Sequence, residues 1–441
     1  MDTPILDFVE GYAAAKAARL HMPGHKGASF LGCEALDITE IQGADALYEA
    51  EGIIAQSEEN AAALFGTART LYSTEGSSQC IRAMLYLALT CRKEGMDPVV
   101  VAARNVHKAF VYAAALLDLE VVWLWPEDGS SLCACPVTAE GLERTLKTLS
   151  APPAAVYVTS PDYLGNRQEI AALAEVAHRY GTILAVDNAH GAYLHFLSQP
   201  SHPMDLGADI CCDSAHKTLP VLTGGAYLHI RQHGPMAENA KAAMALFGST
   251  SPSYLTLLSL DRCNRYLTGE YPACLAETCR KLAALRDDLR RRGWQVEESD
   301  PLRITISAPK GTGGTDLAQR LRRGGVECEF ADPDYLVLMA TPENKDEDYQ
   351  RLLAALGENT APAADRTTLP PARGERVCSI REAFFRLHER VPAEMALGCV
   401  CAAPTVGCPP AIPITVSGER IGPEAAELFR YYGVAQVEVL R

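Results

Sequence analysis

Three residues at the ends of predicted strands have side chains that could carry out chemistry together. The apolar run Ile183–Val186 ends at Asp187, and His190 follows three residues later. A second apolar run, Ile210–Cys212, precedes the turn Ser214–Lys217, of sequence SAHK. A lysine can form an imine with a carbonyl cofactor, and a carboxylate can keep a pyridine nitrogen protonated so that the ring accepts electrons. The pattern therefore favours an enzyme that uses pyridoxal 5'-phosphate (PLP).

Two other interpretations of local motifs are disfavoured. The SAHK turn also matches the S-x-x-K pattern of serine β-lactamases, whose serine is an acyl-transfer nucleophile. The accompanying S-D-N and K-T-G elements are absent from the sequence, and an apolar strand precedes the turn where that nucleophile needs a helix. The glycine-rich stretch Gly311–Gly314 lacks the Lys-Ser/Thr pair of a P-loop, so we expect a plain turn there.

A phosphate site is predicted upstream of the lysine. Gly76, Ser77 and Ser78 lie immediately before a helical pattern, where free backbone N–H groups and hydroxyls favour an anion. Alone, this motif would indicate an ordinary helix cap, but the downstream lysine turn favours a cofactor phosphate. His107 follows a strand and opens a helix, so its ring could stack on the cofactor; a capping or core histidine is the alternative.

The elements that must position these residues alternate between strands and helices from about residue 60 to 230. Strands are predicted at 98–101, 121–124, 155–158, 183–186, 210–212 and 226–230, and helices at 78–93, 107–118, 138–149 and 168–180. Near-continuous apolar strands separated by helices predict a mostly parallel sheet covered on both faces. Ligands of such sheets bind at the carboxyl ends of the strands, which is where Asp187 and Lys217 lie.

The rest of the chain predicts smaller units. Long helices are expected over 253–292, a strand at 303–306, and helices near 379–390 and at 423–433. The predicted organisation is an N-terminal arm (1–50), a large PLP-binding domain (51–260), a small α/β domain (261–357), a linker (358–374) and a C-terminal domain (375–441).

Composition restricts the partners. A chain of 441 residues is too long for one core, and 48% hydrophobic with 22% charged residues is typical of a soluble globular protein. The net charge of -15 disfavours nucleic acid and anionic membranes as partners. Neither a signal peptide nor an apolar run of about 18 residues is present, so we expect a cytoplasmic protein. The 15 cysteines lack paired CxxC motifs and are expected to be buried thiols, with no metal site.

Longer motifs resemble those of a known family. Residues 21–27 read HMPGHKG, and the segments GSS (76–78), SPDY (160–163), DNAHG (187–191), SAHK (214–217), STSPSY (249–254) and PPAIP (409–413) follow in order. Together they resemble the fold-type-I Orn/Lys/Arg decarboxylase family in its short bacterial form, whose corresponding motifs are HMPGHKG, G-[ST]-[ST], SPTY, DEAHG, S-x-H-K, T-S-P-S-Y and P-P-G-I-P. The resemblance spans most of the chain.

The resemblance implies an α/β fold: an aspartate aminotransferase-like large domain of PLP-dependent transferases with a mostly parallel sheet, plus smaller C-terminal α/β domains. It implies PLP-dependent decarboxylation of arginine, lysine or ornithine to carbon dioxide and an amine, a polyamine precursor. Lys217, His190 and Asp187 would be catalytic, with Lys217 or His190 as the acid that reprotonates the α-carbon. The cofactor would be bound by Gly76, Ser77, Ser78, His107, Asp187, Ala189, His190, Ser214, His216, Lys217, Thr250 and Ser251. The last two reach the phosphate of a neighbouring subunit in this family, which implies a homodimer or higher homo-oligomer.

Several positions depart from the family motifs. Asn188 replaces the usual Glu, Asp162 the usual Thr, and Leu164 an aromatic residue, while Cys408 and Ala411 replace Tyr and Gly. These departures leave the choice of basic amino acid open. Two alternatives also stay open: another fold-type-I enzyme, such as an aminotransferase or lyase, and a PLP-binding homologue without catalytic activity.

Overall fold

A computed structural model describes residues 1–126, 131–362, 369, 371–406 and 411–441. Cys408, Pro409 and Pro410 of the predicted C-terminal bend lie outside these residues, as does part of the predicted linker. Among the described residues, no helix combines the length and the apolar character that crossing a bilayer requires.

The elements alternate along the first half of the chain much as the apolar pattern predicts. The helices there are α1 (Pro4–Ala14), α2 (Ile53–Phe65), α3 (Ser77–Thr90), α4 (Lys108–Leu117), α5 (Ala139–Leu146), α6 (Ile170–Arg179), α7 (Ala215–Thr218) and α8 (Pro235–Leu246). The strands are β1 (Arg69–Ser73), β2 (Asp97–Ala103), β3 (Glu120–Leu124), β4 (Pro153–Thr159), β5 (Ile183–Asp187), β6 (Ile210–Asp213) and β7 (Ala226–Ile230).

The second half begins with the two predicted long helices, α9 (Tyr254–Thr268) and α10 (Tyr271–Arg291). The helices α11 (Gly314–Arg323), α12 (Asp346–Leu356), α13 (Ile380–Phe384) and α14 (Pro423–Tyr431) follow. The strands are β8 (Arg303–Ser307), β9 (Phe330–Ala331), β10 (Tyr335–Met339), β11 (His388–Pro392), β12 (Thr405–Val406), β13 (Pro413–Thr415) and β14 (Gln436–Leu440).

The chain divides into two compact units. The predicted domain boundaries stay predictions. The first unit comprises residues 1–97, 154–156 and 170–273. Its strands lie in the order β1-β7-β6-β5. β5 and β6 pair in parallel, with Asp187 opposite Cys212, whereas β7 is antiparallel to both β6 and β1. Every residue of β6 and β7 is buried, as expected of strands covered on both faces.

The second unit comprises residues 98–153, 157–169 and 274–441. It contains the parallel pair β2-β3, the antiparallel sheet β8-β10-β9 and the antiparallel pairs β11-β14 and β12-β13. An apolar core within this unit includes Leu164, Phe330, Ile414 and Phe429.

One predicted helix is wrong. Residues 379–390 were expected to be helical, but α13 ends at Phe384 and β11 begins at His388. The strand pairs with β14, from His388 opposite Leu440 to Pro392 opposite Gln436. Pairing with a segment about fifty residues away therefore overrides the local helical pattern, as cross-strand contacts commonly do.

Candidate active site

The lysine and the histidine of the predicted site are in contact. Lys217 lies in α7, one turn after β6 ends, and His190 lies three residues after β5 ends. Lys217 Nζ is 2.7 Å from His190 Nε2, within hydrogen-bond distance. His190 is buried and Lys217 is partly exposed. The imidazole is therefore placed to exchange a proton with the lysine amine.

Asp187 occupies the end of the neighbouring strand and is buried, with 2% exposure. Its Oδ1 accepts a hydrogen bond from the backbone N–H of Ala189 at 3.2 Å and a weaker one from the thiol of Cys212 at 3.7 Å. The bond to Ala189 is the local turn that a strand-end aspartate commonly makes. Because β5 and β6 are adjacent and parallel, the carboxylate and the lysine turn lie at the same edge of the sheet.

The predicted phosphate-binding turn lies beside the lysine turn. α3 begins at Ser77 with Gly76 as its N-cap, so the first N–H groups of the helix have no partner within it. Ser214 Oγ donates to Ser77 Oγ at 2.7 Å, and Gly76 N donates to Gly224 O at 2.7 Å. Gly224 has φ +97°, and a Cβ there would lie 2.6 Å from Thr74 O, so the two loops approach more closely than a side chain allows.

The remaining predicted residues have more varied surroundings. The backbone N and the Nδ1 of His216 both donate to Gly225 O, at 3.2 and 3.0 Å, which fixes the lysine turn. Thr250 and Ser251 are exposed. Their contact with a neighbouring subunit stays a prediction.

His107 belongs to the second unit, whereas the residues above belong to the first. It is the N-cap of α4, and its Nδ1 accepts from Ala109 N at 3.2 Å. This contact corresponds to the helix-capping role, which is the alternative to a role in cofactor binding. Stacking of the ring on a cofactor stays a prediction.

Two departures from the family motifs are buried in the second unit. Leu164 lies in the apolar core of that unit. Asp162 is buried and accepts from Leu164 N at 2.9 Å and from both the backbone and the side chain of Asn166. Burial raises the pKa of Asp162 to about 6, although the bonds to Asn166 favour the charged form.

A buried network behind the site was not predicted. Asp213, the last residue of β6, accepts from Asn188 Nδ2 at 2.7 Å, from His202 Nε2 at 3.0 Å and from His229 Nε2 at 3.1 Å. Burial by itself raises the pKa of Asp213, but the two histidines outweigh it and hold that pKa below its usual range. Only the departure at Asn188 could have signalled this network from the sequence.

Three residues in or beside this network could also be considered as metal ligands. One ligand atom each from His202, Cys211 and Asp213 lie within 4.8 Å of one another. His202 Nε2 donates to Asp213 at 3.0 Å, so two of the three ligand atoms are already engaged with each other, and burial raises the pKa of the Cys211 thiol well above its usual value. We therefore interpret the group as part of a hydrogen-bonded network.

The residues present fit PLP. A helix N-terminus with two serines faces the loop of Gly224, which suits a phosphate, while the amine and the carboxylate required by the ring lie at one sheet edge. The buried Oγ1 of Thr218, next to Lys217, has no hydrogen-bond partner among the described residues. A buried polar atom without a partner indicates that a ligand or a water molecule binds to it in the working protein.

Comparison with known proteins identifies relatives over the whole chain. Residues 3–309 match the family described as Orn/Lys/Arg decarboxylase, major domain. An arginine decarboxylase of Bacillus subtilis (strain 168) is 29% identical over 96% of this chain and 92% of its own length.

Solved structures agree on the fold. A lysine decarboxylase of Francisella novicida matches 100% of this chain and 81% of its own with a TM-score of 0.82 at 17% identity. A serine palmitoyltransferase of Sphingomonas wittichii matches 80% of this chain and 82% of its own with a TM-score of 0.58 at 16% identity. The predicted α/β fold class of PLP-dependent transferases is therefore confirmed.

Proposed function

Because the chain belongs to the Orn/Lys/Arg decarboxylase family, we propose that it removes the α-carboxylate of a basic amino acid as carbon dioxide, with PLP bound at Lys217. The observation that carries this proposal is the 2.7 Å contact between Lys217 Nζ and His190 Nε2, at the sheet edge that also bears Asp187. A nucleophilic amine, a proton-transfer group and a carboxylate are the side chains that this chemistry requires.

PLP supplies an electron sink for the bond that breaks, and the residues of the first unit would hold it. Lys217 would bind its carbonyl carbon and Asp187 would lie against the pyridine nitrogen. The phosphate would be bound at Gly76, Ser77 and Ser78, next to Ser214. Ala189 and His216 would shape the two turns on either side, and His107 would contact the ring, as the family resemblance implies.

His190 has the clearest proton-transfer role. Its Nε2 can take a proton from Lys217 Nζ when the amine must be a nucleophile and can return it later. The α-carbon must receive a proton after carbon dioxide leaves, and Lys217 and His190 are the two candidates. General acid catalysis of this kind typically contributes about 10²–10⁴-fold.

Arginine is the first candidate substrate, followed by lysine. The relative named arginine decarboxylase extends over nearly the whole chain at 29% identity, whereas the lysine decarboxylase structure shares 17%. The net charge of -15 supports a cationic substrate only weakly. We propose further that the enzyme is a cytoplasmic homodimer or higher homo-oligomer, with Thr250 and Ser251 acting across the subunit boundary.

The test is carbon dioxide release by the purified protein with added PLP, on arginine, lysine, ornithine and neutral amino acids. Chromatography of the amine product and of any keto acid identifies the reaction. Lys217→Ala should abolish release, whereas Lys147→Ala, which removes an exposed lysine from an ion pair with Glu143, should not. The proposal would be contradicted if none of the basic amino acids released carbon dioxide and a keto acid formed instead.

A further inference from the structure

Asn188 and Asp213 join the two strand ends that carry the proposed catalytic residues. Asn188 directly follows Asp187, and Asp213 lies four residues before Lys217. The side-chain bond from Asn188 Nδ2 to Asp213 Oδ1 is 2.7 Å long, and both residues are fully buried. Asn188 N also donates to Cys212 O at 3.0 Å. The side-chain bond therefore continues the pairing of β5 with β6 beyond the last paired residues.

The carboxylate of Asp213 is held by donors on every side. His229 Nδ1 lies 2.8 Å from the Thr70 hydroxyl, and His202 Nδ1 accepts from Met204 N at 3.3 Å. Both rings present Nε2–H to Asp213, because a carboxylate can only accept. Burial lowers the pKa of His229, which agrees with a neutral ring.

Several other titratable groups lie around Asp213. The side chains of Cys80, Cys211, Cys212 and Tyr227 are neutral, because burial raises the pKa of each. Two further carboxylates lie nearby, but Asp187 accepts from Ala189 N and the Cys212 thiol and Asp205 faces His195, so Asp213 is the carboxylate that faces the Asn188 amide.

The charge of Asp213 explains the departure at residue 188. A carboxylate can only accept hydrogen bonds, so the side chain opposite must donate. A glutamate at 188, as in the family motif, would place a second buried carboxylate beside Asp213, and like charges in a buried site strongly disfavour each other. An asparagine amide supplies the donor that is needed.

We propose that Asn188 and Asp213 are a matched pair of positioning residues that sets the placement of Asp187 relative to Lys217. The proposal rests on the proposed function for the roles of those two residues. Neither member of the pair needs to touch the substrate, because Asn188 directly follows Asp187 and Asp213 precedes the turn that carries Lys217. The consequence is that residues 188 and 213 can be exchanged together but not singly.

A reciprocal swap tests this pair with substitutions of nearly equal shape. Asn188→Asp places two carboxylates as close together as the present hydrogen-bonded pair. Asp213→Asn removes the negative charge that His202 and His229 face. In the double variant, an amide at 213 can donate to a carboxylate at 188 while its oxygen still accepts from both histidines. We expect kcat to fall at least tenfold in each single variant. If the two effects were independent, the fold-losses in kcat would multiply in the double variant. We expect the kcat of the double variant to be at least tenfold higher than that product predicts, since contacting residues couple strongly.

A pH series separates repulsion from a simple packing defect. In Asn188→Asp, one of the two facing carboxylates takes a folded-state pKa above its unfolded value of about 3.9. Stability from such a group is full below the unfolded pKa and is lost as the pH rises through the folded pKa. The melting temperature of Asn188→Asp should therefore approach that of the double variant at pH 5 and fall below it at pH 8.

The matched control is Asn344→Asp, which makes the same change opposite Asp348, where an exposed side-chain bond of 3.2 Å is found. It should change neither kcat nor the pH dependence of melting, because exposed charges interact weakly. PLP fixed to the protein by borohydride provides a readout that does not require turnover. If the unsubstituted protein releases no carbon dioxide, the proposed function fails while the swap remains measurable by fixed PLP and melting. A double variant no better than the product of the singles in PLP fixation and melting would overturn the pair.

Discussion

Replacement of Asp187 by Asn should slow turnover strongly while leaving the fold intact. The side chain is buried at the end of β5, and its Oδ1 accepts from Ala189 N and the Cys212 thiol. An asparagine has an oxygen in the same place, so these bonds can persist. The substitution therefore removes the negative charge and can keep these two bonds.

The magnitude follows from that charge. An opposite charge within about 4–6 Å shifts a pKa by about 1–3 units, and each unit corresponds to about 1.4 kcal/mol. If the carboxylate keeps a pyridine nitrogen protonated, its loss should lower kcat by about 10–1000-fold, a range that includes the loss of about 10²–10³-fold typical of one electrostatic group in an active site. The free energy of unfolding should change by less than about 1 kcal/mol, because the hydrogen bonds remain.

The assay compares kcat for carbon dioxide release, bound PLP and melting temperature in the same preparation. Asp287→Asn is the matched control, because it removes the same charge from an exposed ion pair with Arg290. Its kcat should equal that of the unsubstituted protein. Near-normal kcat in Asp187→Asn with PLP bound would refute the reasoning and assign the pyridine contact to another group.

The remaining predictions concern the covalent link, a pH effect, the assembly and the substrate. Lys217→Ala should bind no PLP that borohydride can fix, which mass spectrometry of the intact protein measures; an adduct in this variant would contradict the assignment. Burial raises the pKa of Asp162 to about 6 in the folded protein. Above that pH the side chain is ionised and destabilises the fold, and this cost disappears as the pH falls and the side chain becomes protonated. Asp162→Asn should therefore raise the melting temperature more at pH 8 than at pH 5, and a pH-independent effect would show that hydrogen bonds to Asn166 dominate instead. Sedimentation should give a dimer or larger, and Ser251→Ala should weaken PLP binding; full activity in a monomer would be inconsistent with a shared site. A cation bound by a buried carboxylate should be preferred over neutral amino acids by about 10²-fold or more in kcat/KM, because breaking such a pair costs about 3–5 kcal/mol; equal values would exclude such a contact.

The sequence by itself determined the order of the elements between residues 97 and 230 and the place of the candidate site. Alternation of apolar strands with helical spacing predicts a mostly parallel sheet, and β2 to β7 lie where that pattern places them. Side chains that follow such strands must meet at one edge, which is why the sequence alone predicts that Asp187 and Lys217 lie near each other. Short-range pattern is sufficient here because β4 to β7 are buried almost throughout, as strands covered on both faces are.

Only the tertiary structure decided what depends on distant partners. β1 was missed because Arg69, Thr70 and Ser73 interrupt its apolar pattern, yet it pairs with β7 more than 150 residues away. The segment after α13 became a strand through β14, and the departure at residue 188 has a reason only once Asp213 lies opposite. A sequence pattern reports which residues prefer burial, whereas hydrogen-bond partners across strands are chosen by the packing of segments that are far apart in the chain.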